Sequence, residues 1–276
     1  MTRSTLLWIL AGIITLSSGI YQRMTGPSYP VSGKANFAGQ MIPYRFDRSH
    51  AGISNAPVEV RTDNEAITGV LTWKRHKTAD SWTEVPMIFD GGVLKAELPH
   101  QPIAGKLMYR VELQKGGERL NLAGADPIII RFRGDVPVYV LIPHLIAMFG
   151  AMFYATRAGL EFFSKEPKLR NLVYTTLGFL LVGGFMLGPL MQYYSFDVWW
   201  TGWPVGTDLT DNKTVVAFLA WLVVALVLSK VKYPTRWALG ASIIMMAVYL
   251  IPHSVLGSEY NYSEIDKQGI KIDSIR

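Results

Sequence analysis

Apolar runs too long for ordinary buried helices fill the C-terminal half of this chain, and their spacing restricts it to a membrane fold. They cover Val136 to Thr156, Leu172 to Tyr193, Val215 to Leu228 extended by its flanks, and Trp237 to Leu256. At about 1.5 Å per residue each reaches across a hydrocarbon layer of about 30 Å, and short connectors join them into a four-helix transmembrane bundle over 136–257. An earlier run, Thr5 to Ile20, comes after a short leader with one charge, Arg3, and ends in Ser17, Ser18 and Gly19. It extends about 24 Å. A signal anchor and a cleaved signal peptide both fit residues 1–22, and either one exports the residues after it. With 50% hydrophobic and only 17% charged residues, the chain carries more apolar content than a soluble domain buries.

The connectors give the threading. Arg157, Lys165, Lys168 and Arg170 lie between the first two bundle helices, and Lys230, Lys232 and Arg236 between the last two. Such Lys/Arg-rich turns stay in the cytoplasm. The loop from Gln192 to Thr214 has one lysine against Asp197, Asp208 and Asp211, and it gathers Tyr193, Tyr194, Trp199, Trp200 and Trp203 as an outer aromatic belt. The N-terminus is therefore expected in the cytoplasm, and residues 30–134 and the polar, loosely ordered tail 258–276 in the periplasm of a bacterial inner membrane. The net charge of +6 belongs to these loops. It forms no basic stripe, so nucleic acid is not an expected partner.

Between Lys34 and Arg133 the pattern changes to short β-rich stretches: Ala35 to Phe46, Val58 to Arg61, Gly69 to His76, Thr83 to Phe89, Gly92 to Leu98, Leu107 to Gln114 and Ile128 to Phe132. Turn signals at Gly91-Gly92, Pro99 and Gly116-Gly117 separate them, which predicts an all-β sandwich. Trp73 on an early strand, Leu98-Pro99, and Tyr109-Arg110-Val111-Glu112-Leu113 resemble the core tryptophan, turn and Tyr-x-Val strand of fibronectin type III and immunoglobulin-like domains. Over the whole chain, Gly134-Asp135-Val136-Pro137 with Ile142-Pro143-His144, and Trp200 to Pro204 through Asp208 to Lys213, resemble a group of uncharacterised bacterial inner-membrane proteins with such a domain before four helices. The resemblance implies a spacer or adhesion module and brings no activity with it.

Zero cysteines exclude disulfides, thiolate metal sites and thiol catalysis. Nucleotide loops, metalloprotease helices and serine-hydrolase elbows have no matching motif either. Chemistry within the spans narrows to His144 and His253, each preceded by a proline and each near the outer boundary. Two imidazoles at one depth would suit a b-type haem approached over Gly183, Gly184 and Gly188, with quinol at the aromatic mouth as its redox partner. They would also suit copper, with Met148 one turn below His144 and Asp208 or Asp211 from the outer loop. The plainer assignments are helix-to-helix hydrogen bonding for the histidines, core packing for Met148 and Met152, close helix contact for Gly184-x-x-x-Gly188, and a helix cap at Thr210 or Asp211. Lys213, at a helix start, is expected to snorkel or to pair with an aspartate. His50, His76 and His100 fall on strand edges and loops as solvated residues. Three functions are compatible with these features: an accessory or complex subunit whose sandwich binds a periplasmic protein, a haem or copper redox component built on the two histidines, and metal or proton-coupled transport.

Overall fold

The computed structural model describes residues 2–252 together with Tyr260 and Tyr262. These divide into two compact units: 2–27 with 136–252, and 28–135 with the two tyrosines. The first is helical and the second is built of β-sheets.

Eleven strands form the β unit: β1 (Val31–Phe37), β2 (Gln40–Phe46), β3 (Ser49–Ala51), β4 (Ala56–Arg61), β5 (Thr68–Arg75), β6 (Thr83–Pro86), β7 (Ile88–Asp90), β8 (Val93–Leu98), β9 (Lys106–Lys115), β10 (Glu118–Leu122) and β11 (Ile128–Arg133). The stretch from Ala35 to Phe46, expected as one strand, turns back on itself at Ala38 and Gly39, whose φ values are 51° and 82°. Glycine supplies that left-handed conformation without steric cost. Gly91-Gly92 and Gly116-Gly117 make the same kind of turn between β7 and β8 and between β9 and β10.

Strand β9 organises the unit. Along one edge it pairs with β5 from Leu107 to Gln114; along the other, β11 takes its first half and β10 its second. The larger sheet therefore runs β3-β11-β9-β5-β6, with β10 beside β9, while β4-β8-β7 and β1-β2 make two smaller sheets. Strict alternation puts Leu107, Tyr109, Val111 and Leu113 of β9 on the buried face, where they meet Val58, Val60, Leu71, Leu94 and Phe132 in one core. The Tyr109 hydroxyl donates to the Asp47 carbonyl at 2.8 Å, and burial holds its pKa far above the ordinary phenol value.

Two residues of the C-terminal tail complete this unit. Tyr262 is buried, with its hydroxyl accepting from the Lys106 amide at 2.9 Å and donating to Gln101 Oε1 at 3.0 Å. The Arg75 guanidinium lies 5.1 Å from its ring centre. The rest of the tail lies outside the described residues.

The helical unit begins with α1 (Arg3–Thr25) and continues through α2 (Val138–Leu160), α3 (Leu169–Leu180), α4 (Gly188–Phe196), α5 (Leu209–Val227) and α6 (Pro234–Leu250). A π-helical segment, Leu181–Leu187, joins α3 to α4 in one continuous rod. Pro189 offers no N–H, and its ring would collide with the Phe185 carbonyl in a regular turn, so a widened turn is the expected relief. Among the described residues, four helical stretches are long and apolar enough to cross a membrane: Arg3–Thr25, Val138–Phe163, Leu169–Phe196 and Leu209–Val227. Only 17–33% of their apolar windows is buried within the protein, so side chains such as Ile13, Leu16, Ile146 and Leu219 present an outward apolar surface suited to lipid. The last helix is shorter than expected. It stops at Leu250 rather than Leu256, because Ile251 precedes Pro252 and takes extended dihedrals of −70° and 119°.

The β unit contains a charge pair whose protonation is readable. Arg75 donates from Nε at 2.6 Å and Nη2 at 2.9 Å to the two Asp80 oxygens, and these bonds hold the Asp80 carboxyl below the ordinary carboxylate range. A depressed folded-state pKa stabilises the fold at pH above the unfolded value of about 4, and that contribution disappears as pH falls through the folded value. Full-length Asp80→Asn in detergent should therefore melt below the wild type at neutral pH. The gap should close as the pH falls through the lowered Asp80 value, as monitored by tryptophan fluorescence during heating.

Candidate functional site

Within the helical unit, polar side chains gather where a helix is interrupted. His144 sits in α2 one residue after Pro143, about 9 Å along the axis from the helix start. Its Nδ1 lies 3.0 Å from the Gly183 carbonyl in the π-helical segment. A carbonyl only accepts, so Nδ1 carries the proton, and Nε2 of the neutral ring is left as an acceptor.

The same histidine lines a cavity of about 90 Å³ between α1, α2 and α6. Thr15, Ser18, Gly19 and Gln22 of α1, Leu145, Met148, Phe149 and Met152 of α2, and Tyr249 of α6 complete the wall. Gln22 Nε2 donates to the Tyr249 carbonyl at 2.6 Å, fastening α1 to α6, and the Tyr249 hydroxyl approaches Met148 Sδ at 3.8 Å. Thr15 is buried, and its hydroxyl has no hydrogen-bond partner among the described residues.

The second cluster lies in the loop from Asp197 to Asp208. Asp208 is the N-cap of α5, accepting from the Thr210 amide at 2.7 Å, so the cap is neither Thr210 nor Asp211. Asp211 instead accepts from the backbone amides of Thr201 at 2.7 Å and Gly202 at 3.0 Å. The Gln192 amide turns its nitrogen toward the same carboxylate, at 3.0 and 3.2 Å, and its oxygen accepts from Thr201 Oγ1. Asn212 Oδ1 takes the Trp203 amide at 2.7 Å. Trp199 stacks on Tyr193 and Trp200 on Phe185, which folds the aromatic loop back on the helices.

Lys213 is buried beside this loop, with no aspartate partner among the described residues. Its ammonium donates to the carbonyls of Ile251 at 2.6 Å and Pro252 at 3.2 Å. These carbonyls lie just past the end of α6, so the lysine caps a neighbouring helix where positive charge complements the dipole. A third buried cluster sits at the end of α2. Arg157 Nη1 is 2.6 Å from Glu161 Oε1, the guanidinium lies 5.0 Å from the Trp8 ring centre, and Glu161 Oε2 accepts from the Lys168 amide at 3.0 Å. Arg157, expected in a cytoplasmic turn, lies instead within α2, and only 4% of its side chain is exposed. Its i,i+4 spacing to Glu161 is the sequence signal for this pair.

Of the residues expected to ligate, His144 and Met148 share the cavity. Asp208 and Asp211 are engaged by the loop backbone, and His253 lies outside the described residues. Among the described residues, no three His, Asp or Glu side chains converge as a metal site. The glycine faces expected to admit a haem are filled by packing: a side chain at Gly183 would meet Met148 and Ala147, one at Gly184 would meet Thr214, and Gly188 faces the Gly183 carbonyl. A cavity of about 90 Å³ is also smaller than the one of about 150 Å³ that admits benzene, so the space at His144 does not fit a macrocycle.

Replacing Lys213 by Met leaves the Ile251 and Pro252 carbonyls without their donor. The expected loss is about 1–3 kcal/mol, the cost of unsatisfied buried acceptors, and Lys213→Arg should recover part of it. Thermal unfolding of the full-length variants in detergent reads this directly. A melting temperature equal to the wild type would show that the lysine does not hold α6.

No family model, curated protein or solved structure matches this chain.

Proposed function

We propose that the protein is an integral inner-membrane accessory or complex subunit whose β unit binds a protein partner in the periplasm. One observation carries this reading: the ionisable side chains buried in the helical unit are engaged in holding its own elements together. His144 takes a carbonyl of the π-helical segment, Lys213 caps α6, Asp211 gathers the loop amides, and Arg157 pairs with Glu161. Such a set builds a carrier. Transport would instead need charged groups facing a pathway.

The strand order supports an immunoglobulin or fibronectin type III-like assignment for the β unit. Lettering β3 to β9 and β11 as A, B, C, C′, D, E, F and G, the sheet β4-β8-β7 reads B-E-D and the facing set β6-β5-β9-β11 reads C′-C-F-G. For orientation the reading rests on Lys165, Lys168 and Arg170 and on Lys230, Lys232 and Arg236, basic turns that favour the cytoplasm and so an exported β unit. The outer face of the larger sheet offers a recognition feature. Trp82 lies 5.4 Å from Lys74 Nζ and 5.0 Å from the Arg110 guanidinium carbon, and tryptophan and arginine are the residues that most often anchor protein interfaces.

Extraction of the full-length protein from its own membranes in mild detergent tests the reading. It should run as a stoichiometric complex larger than the purified, reconstituted chain, and Trp82→Ala combined with Arg110→Ala should reduce it to the size of the chain alone. Equal size in both preparations would overturn the proposal.

A further inference from the structure

Glycine weakens a helix interior, and membrane helices usually recover the loss through close contact with a neighbour. Gly159 and Gly184 follow that rule: a Cβ at the first would meet Ser242, and one at the second would meet Thr214. Gly240 of α6 does not. A Cβ there would meet no atom within 4 Å among the described residues, so the missing side chain leaves open space instead of admitting a helix. That space is a groove of about 350 Å³ between α5 and α6, within the range of about 300–1,000 Å³ typical of small-molecule sites. Val224 and Ala241 form its buried floor, and the half-exposed Val223, Trp237 and Ile244 open it to the outside of the helical unit. From Arg236 to Ile244 it follows α6 for about 12 Å.

Charge selects the occupant. Arg236, the one charged residue in the wall, stands in the first turn of α6 with its guanidinium carbon 4.7 Å from the Tyr233 ring centre. Lys232 Nζ lies 5.4 Å from the same ring, and Lys230 precedes both. No Asp or Glu occurs from residue 212 to residue 258, and no carboxylate pairs with these three cations among the described residues. Two cations gathered on one ring and left unbalanced favour an anion between them, and guanidinium matches phosphate in particular. An apolar groove that ends in such a cluster fits an amphiphile with an acyl chain and an anionic head. A parallel second copy fits worse, since it would bring the same three cations against these. We infer that the groove between α5 and α6 binds an acyl chain of an anionic phospholipid, with the phosphate on Arg236 and Lys232. The inference rests on insertion of these helices in a membrane and is independent of partner binding by the β unit.

Native mass spectrometry of the full-length protein in neutral detergent, titrated with phosphatidylglycerol or with phosphatidylcholine of the same chains, reads the site. Phosphatidylglycerol should bind at least about fivefold more tightly, the factor expected for one basic side chain at an anionic head. Arg236→Gln should bring the two lipids to within about twofold of each other. Gly240→Leu should remove tight binding of both, because its side chain fills the groove from a position with open space around it. Leucine also favours the helix, so this variant should melt no lower than the wild type in lipid-free detergent, and lost binding would not reflect lost folding. Equal retention of phosphatidylglycerol by the wild type and Gly240→Leu would put the lipid elsewhere on the apolar surface and overturn the inference. Equal affinity of the wild type for the two lipids would overturn the part played by charge. A dimer without lipid adducts that dissociates in Gly240→Leu would assign the groove to a second copy instead.

Discussion

Unpaired backbone carbonyls are the constraint on which the helical unit depends. In a low-dielectric surround a carbonyl without a donor costs several kcal/mol, so every irregularity in a spanning helix needs a local answer. Among the described residues the regular helical pattern is disturbed at Pro143, which removes one N–H within a continuous α2, in the widened turn around Gly183 and Gly184, and at Ile251-Pro252 after α6. At the last two places a polar side chain from another helix arrives at a backbone oxygen. His144 reaches Gly183 and Lys213 reaches Ile251 and Pro252, while Gln22 takes the Tyr249 carbonyl just before the end of α6. The same contacts join α2 to the π-helical segment, α5 to α6 and α1 to α6. The first helix is thereby part of the helical unit, packed on α2 through Trp8 and Phe153 as well as on α6.

The β unit meets the equivalent demand through pairing. Strand β9 is long enough to satisfy three neighbours, and the register that pairs Leu71 with Val111 and Trp73 with Tyr109 keeps one face of both strands apolar. Where the ladder ends, side chains take over. The Tyr262 hydroxyl closes the start of β9 at Lys106, and the Tyr109 hydroxyl satisfies Asp47 across the core. Each replaces a strand neighbour with a single aromatic group whose body adds to the burial.

The parts legible in the sequence are those set by periodicity and length: long apolar runs, alternating strands and glycine-pair turns. Features that escape it are set by partners distant in the chain. Lys213 looks misplaced at a helix start because its acceptors lie 38 and 39 residues away, and Arg157 reads as part of a cytoplasmic turn because Trp8 and Glu161 enclose it only after folding. The end of α6 differs from the expectation for a local reason. The residue before a proline leaves the helical region, and that rule favours a stop at Ile251 over a kink at Pro252. Asp208 as cap is equally local, three residues before Asp211 in a loop that offers several capping side chains. No pattern of residue types announces the widened turn, although Gly183-Gly184 with Pro189 beyond it contains its physical cause.

His144 shows how a structural bond also defines chemistry. Were the ring free in the bundle, either nitrogen could carry the proton and the side chain would have no fixed hydrogen-bonding character. The widened turn offers the Gly183 oxygen to Nδ1, which fixes the tautomer and the ring plane together. The acceptor character of Nε2 is thus a consequence of a defect in a different helix. Packing of Met148 and Ala147 over Gly183 keeps that helix close enough for the bond, and the same packing closes the space a large ring would need. The fixed tautomer of His144 and the close packing of the two helices therefore arise from one arrangement. A substitution that restores a regular turn at Gly183 would alter both at once.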